Sequence, residues 1–173
     1  KMPGADALTG AGIYYGAAYT EAMNYKDGDV FVVGGANSAA QGAIYLSQFA
    51  RKVTVLVRGH EPTASKHLVD AMRGNAKIEI LTDTDLLEVK GGNTLEAIVI
   101  KNTKSNETQT CNASALFVFI GVRPQSQLVA DLALRSDKGY IYTGPDLMKD
   151  KKPSFDKASP LRATPQNWTL ERD

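Results

Sequence analysis

The stretch Val30-Phe31-Val32-Val33-Gly34-Gly35-Ala36-Asn37-Ser38-Ala39-Ala40-Gln41 decides how this chain is read. VFVV is a short apolar, β-rich run that ends on two glycines. Beyond them, Ala39, Ala40, Ala43, Ile44, Ser47 and Ala50 recur at three- and four-residue spacing, as one face of a helix requires. A second β-branched run, Lys52-Val53-Thr54-Val55-Leu56-Val57-Arg58, follows and has no polar alternation, as expected of a parallel strand covered on both faces. Strand, tight turn, helix and strand make a βαβ unit.

The alternation continues downstream. Residues 64–73 read as a helix stopped by Gly74-Asn75, and 77–81 as a third strand. From Thr84 the style changes: 84–90, a Gly91-Gly92-Asn93 turn, 94–102 and 107–111 read as antiparallel strands, and Ala115 to Ile120 as a last buried strand ending at Gly121. The fold class is therefore α/β, a Rossmann-like βαβ domain with a parallel sheet and an antiparallel β excursion. Residues 1–12 have no sustained period and read as a linker leading into the domain; 13–124 form the domain itself. Within 125–173 a short helix near 126–131 and a strand at 139–143 are expected, then an irregular, proline-rich and charged tail.

Composition narrows the function classes. The chain has 173 residues, 43% of them apolar and 23% charged, with a formal net charge of +1, so no basic excess points to nucleic acid. Its single cysteine, Cys111, excludes an intrachain disulfide or Cys-x-x-Cys pair within these residues and reads as a small buried side chain. The histidines His60 and His67 lack a metal-ligand pattern, so no metal site is expected. Sequons at Asn106, Asn112 and Asn167 have nothing beside them to mark secretion. No apolar run approaches the ~20 residues of a membrane helix, and a cytoplasmic protein is expected.

A glycine turn that opens a helix after a buried strand suits a pyrophosphate. Free backbone N–H groups and the positive end of the helix dipole hold it, and three small residues give the turn, the close approach and the helix–strand packing. Gly34, Ala36 and Ala39 fill these places. The methyl of Ala36 narrows the approach but removes no donor, and Gly35 beside it keeps the turn pliable. Asn37 or Ser38 could cap the helix or reach a phosphate oxygen. The alternative is a βα turn that uses glycine only for geometry. Where NAD-binding proteins place a ribose-binding acid, 24 residues after Gly34, this chain has Arg58, whose forked donors suit a 2′-phosphate and with the turn favour NADP over NAD; the alternative is a solvated surface arginine.

With these residues in hand, the chain resembles the NADPH-binding domain of the thioredoxin reductase family of flavoproteins. VVGGANSAAQGAIYLS matches that family's nucleotide turn and helix, VTVLVR its second strand, and ALFVFIGVRPQS the strand by which the chain leaves the domain. Met2-Pro3-Gly4 and GAGIYYGA match its leading linker, and the resemblance covers residues 2–143. It implies an FAD domain split in sequence around this one, so the chain is expected to be a fragment that binds NADPH and catalyses nothing alone. Its partners would be NADPH and the FAD domain of a parent protein, which could be a homodimer.

The resemblance also implies roles. Gln41 stands where the family has a glutamate near the nicotinamide amide, and Ile120, Gly121 and Arg123 where the exit strand touches cofactor; for Ile120 the alternative is plain core. Two departures stand out. Gly16 and Tyr19 occupy the positions of the family's redox cysteines, and Gly59 and Thr63 those of two phosphate-binding arginines, leaving Arg58 with His60 or Lys66 as supplements. The expected function is delivery of hydride from NADPH to flavin. The alternative is a catalytically inactive nucleotide-binding sensor or scaffold.

Overall fold

The computed structural model describes residues 4–16, 18–121, 124–143, 148–149 and 152–153. It divides into two compact units, Lys1–Ile120 and Gly121–Asp173.

The first unit is built on a five-stranded parallel sheet. Its strands are β1 (Ile13–Tyr15), β2 (Asp29–Val33), β3 (Lys52–Leu56), β4 (Ile78–Leu81) and β8 (Ala115–Val118), in the spatial order β1-β8-β2-β3-β4. One face carries α2 (Ala18–Glu21), a 3-10 turn at Ala22–Tyr25, α3 (Asn37–Leu46) and α4 (Lys66–Arg73). The other carries α1 (Ala5–Leu8) and an antiparallel sheet of β5 (Thr84–Gly91), β6 (Leu95–Asn102) and β7 (Thr108–Asn112) in the order β5-β6-β7.

Alternation along each strand explains the two cores. Val30, Val32, Val53, Val55, Ala115 and Phe117 point to the helices, while Phe31, Leu56, Leu116 and Val118 point to the antiparallel sheet, and all are buried. Because both faces are covered, the strands read as continuous apolar runs without a polar beat. Each large side chain so buried contributes about 1.5–3 kcal/mol on leaving water.

Several elements differ from the sequence reading. The 1–12 stretch, read as a linker, contains α1, and the edge strand β1 opens the domain directly after it, its Ile13 fully buried against the antiparallel sheet. Three residues are too few to show a period of two. Strand β8 stops at Val118, two residues early, because its neighbour β2 ends at Val33 and the last shared bond is Phe119 N–H to Val33 O, at 2.8 Å.

In the second unit the expected helix is a 3-10 turn at Ser126–Val129. The expected 139–143 strand is only a bridge between Arg135 and Ile141; its Tyr140, Ile141 and Tyr142 are all exposed, so no neighbouring strand is driven onto it. Two residue pairs of the tail, β9 (Met148–Lys149) and β10 (Lys152–Pro153), pair antiparallel where an irregular course was expected. No helix among the described residues is long and apolar enough to cross a membrane.

Candidate functional site

The chain runs from β2 through α3 to β3 on one side, whereas β8 lies on the other side of β2. Such a reversal leaves a crevice outside the carboxyl ends of the strands, where open α/β sheets take their ligands. Gly34 and Gly35 leave β2 there, Arg58 lies two residues past the end of β3, and Ile120 two past β8.

Gly34 has φ 140°, and a Cβ on it would stand 2.6 Å from Phe119 O and 3.1 Å from the Cβ of Ala39. The turn therefore passes against the exit strand and the buried Ala39 of α3 with no room for a side chain. One turn on, Gly42 makes the same allowance for the Phe119 ring, which a Cβ there would meet at 2.9 Å.

The N-cap of α3 is Ala36, in extended conformation (φ −91°, ψ 179°), and no side chain caps the helix. The first intrahelical bond runs from Ala40 N–H to Ala36 O, 3.1 Å, so the amides of Asn37, Ser38 and Ala39 precede it without an intrahelical acceptor. Ala36, Asn37 and Ser38 are exposed, and Ala39 is buried. Capping by Asn37 or Ser38 does not occur. Instead the Ser65 N–H donates to Asn37 Oδ1 at 2.8 Å.

That bond is one of several that strap the β3–α4 loop to the glycine turn. Gly35 O accepts from the Thr63 and Ala64 amides at 2.7 and 2.9 Å and from Thr63 Oγ1 at 3.3 Å. A Cβ on Gly35 would meet Val57 Cγ1 at 3.0 Å. Ser65 Oγ is buried without a hydrogen-bond partner beside this strap. Helix-start amides without an intrahelical acceptor, a helix dipole and a two-glycine turn together fit a diphosphate.

Gln41 lies one turn along α3 from Asn37 and is exposed, as is Arg58. Ile120 is 71% exposed, so it is not a core residue. Gly121 opens the second unit with φ 88°, and Arg123 lies outside the described residues. Of the positions matched to redox cysteines, Gly16 has φ 77°, and Tyr19 is 66% exposed with its ring 4.3 Å from that of Tyr45.

The sequence reading passed over a charged cluster beside Arg58. Asp83 Oδ2 pairs with Lys104 Nζ at 2.8 Å and lies 3.1 Å from His60 Nδ1. Hydrogen bonds from Lys104 and then from His60 hold the Asp83 carboxyl below the usual carboxylate range. These residues are 23 and 44 positions from His60 in sequence, so no local pattern could have joined them.

A cavity of about 440 Å³ lies elsewhere, at the amino ends of β2–β4, lined by Asp29, Lys52, Glu79, Gln109 and Cys111 among others. Lys52 and Glu79 pair across it at 2.9 Å, and Cys111 at its wall is half-buried, its thiol pushed up by that burial. The carboxyl ends of the strands, with the glycine turn and the start of α3, are the better candidate for a nucleotide site on general grounds.

Comparison with known proteins agrees with this architecture. The pyridine nucleotide-disulphide oxidoreductase family matches residues 1–151. Thioredoxin reductase of Mycolicibacterium smegmatis is 35% identical over 140 residues, 81% of this chain and 45% of its own length. That of Peptoclostridium acidaminophilum is 37% identical over 147 residues, 82% of this chain and 46% of its own length. Among solved structures, Lactococcus lactis thioredoxin reductase superimposes with a TM-score of 0.78 at 27% identity, covering 86% of this chain and 49% of that one. Streptococcus pyogenes thioredoxin reductase gives 0.75 at 33% identity, covering 86% and 48%. The chain thus spans about half the length of the relatives it matches.

Proposed function

The chain belongs to the pyridine nucleotide-disulphide oxidoreductase family, as a thioredoxin reductase-like member, and from that premise we propose that it is the NADP(H)-binding domain of an FAD-dependent oxidoreductase. When bound, NADPH supplies a hydride, which on this reading goes to FAD held outside the domain.

The observation that carries the reading is the crevice itself. Its glycine turn lies against the exit strand, the amides of the exposed residues Asn37 and Ser38 have no intrahelical acceptor, and Arg58 stands past β3 where an acid would select NAD. The backbone of residues 34–39 would hold the diphosphate, and Arg58 the adenosine-ribose end with its 2′-phosphate. Gln41, whose amide can both donate and accept, would meet the nicotinamide side, with Ile120, Gly121 and Arg123 of the exit segment.

Calorimetric titration of the chain with NADPH and with NADH tests this. NADPH is expected to bind in the micromolar range and NADH more weakly. No heat with either nucleotide would remove the proposal.

One observation supports a second reading, a nucleotide-binding sensor or scaffold: the chain has Gly16 and Tyr19 at the dithiol positions and only Cys111 as a thiol. Flavin decides between them. A yellow parent protein that bleaches on addition of NADPH is an enzyme whose electrons leave by another route, and a colourless parent is a scaffold.

A further inference from the structure

We propose that Lys104, on the turn between β6 and β7, is a specificity-determining residue that reads the 2′-phosphate of NADPH together with Arg58 and His60. The inference rests on the NADP(H) reading of the crevice.

The argument starts from Asp83, which follows β4 and has φ 51°. Its N–H donates to Gly59 O at 2.9 Å, and the next amide, Thr84 N–H, donates to Val57 O at 3.0 Å. Its own carbonyl accepts from Thr103 N–H at 2.7 Å and from Thr103 Oγ1 at 3.0 Å. Asp83 and Thr84 together thus clip the start of β5 to both peptide neighbours of Arg58, and Asp83 ties the β6–β7 turn to the same place. Lys104, next along from Thr103, arrives with its Nζ 2.8 Å from Asp83 Oδ2 and 2.9 Å from His60 Nδ1.

Charge makes this placement consequential. The Asp83 side chain is only 15% exposed and acts as a fixed negative centre beside the Arg58 loop, whereas the side chains of Lys104 and His60 are 61% and 75% exposed and open to a solute. Without Lys104 that carboxylate would oppose Arg58 and repel a phosphate. With Lys104 the carboxylate is compensated, and an ammonium on a flexible four-carbon stem remains within reach of an incoming dianion. Gly59 and Thr63, the two positions where the loop carries no arginine, are otherwise engaged: Gly59 O takes the Asp83 amide, and Thr63 is tied to Gly35. The second cation therefore comes from a different sheet.

The test is calorimetry on the 173-residue chain with adenosine 2′,5′-bisphosphate and AMP as probes, at low salt. Lys104→Ala should weaken the bisphosphate about fivefold to tenfold and AMP less than twofold. Lys104→Arg should restore most of the loss, and adding Asp83→Asn to Lys104→Ala should recover part of it. If Lys104→Ala leaves the bisphosphate unchanged while Arg58→Ala weakens it, Lys104 is only a counter-ion and the inference is overturned with the NADP(H) reading intact. Equal weakening of both probes overturns it as well, as a general effect on the loop. A wild-type chain that does not separate bisphosphate from AMP overturns both.

Discussion

The backbone N–H of Ser65 donates to the side-chain oxygen of Asn37 at 2.8 Å, so the first residue of one helix holds the entrance of the next. Asn37 therefore shapes the crevice without capping its own helix. Asn37→Ala should cost about 1 kcal/mol in urea unfolding, the usual worth of such a bond. Asn37→Asp keeps the acceptor and suits the helix dipole, yet places a negative charge where the proposed diphosphate would sit. It should retain the stability and lose at least about tenfold in NADPH affinity by calorimetry. An aspartate variant that binds as well as wild type would remove the diphosphate from this helix end.

Gly34 and Ala36 separate folding from binding. Gly34→Ala meets both a positive φ and a Cβ 2.6 Å from Phe119 O, and should destabilise the chain by roughly 2 kcal/mol or more. Ala36, exposed and extended, should accept glycine within about 1 kcal/mol and bind NADPH at least as tightly. Ala36→Leu should leave the melting curve in place and abolish binding.

Arg58→Ala should weaken NADPH about tenfold or more and NADH little, since a forked guanidinium on a 2′-phosphate has no counterpart in NADH. Equal losses for both nucleotides would assign Arg58 to the adenine or the fold.

Asp83 predicts a pH dependence with a definite sign. Its folded carboxyl lies below the usual carboxylate range, held there by Lys104 and His60. Above the unfolded value both states are ionised, and the carboxylate's contribution is fully present. As pH falls from there through the lower folded value, the unfolded chain takes up the proton first, and the contribution is lost. Asp83→Asn should therefore be less stable than wild type at neutral pH, with the gap closing in acid. A gap independent of pH would show that the carboxylate's charge is not what stabilises this junction.

Cys111 should react slowly. Burial pushes its thiol up, which lowers the thiolate fraction at neutral pH, and the thiolate is the nucleophile. Alkylation by iodoacetamide should be slow in the folded chain and fast in urea.

The parts legible in the sequence are those whose cause is local. Val30–Gln41 announced strand, turn and helix because a strand buried on both faces needs consecutive apolar residues and a tight βα turn needs small ones. Arg58 followed from its distance along the chain. Strand β1 was missed because three residues at a sheet edge show no period; the full burial of Ile13 comes from β6 and β8 packing around it. The course of residues 139–143 was overread because an alternation of tyrosine and isoleucine becomes a strand only with a partner to pair with.

By itself the sequence determined a βαβ nucleotide-type core, its small-residue turn, the cation at Arg58 and the lack of a dithiol, because each is a property of which residues stand at fixed short spacing. Tertiary structure alone decided the strand order β1-β8-β2-β3-β4, which opens the crevice. It also decided the Asn37–Ser65 strap and the meeting of Lys104 with His60 across 44 positions. Hydrogen bonds and charges act over a few ångströms of space, and chain separation does not enter them once the packed layers have brought the groups together.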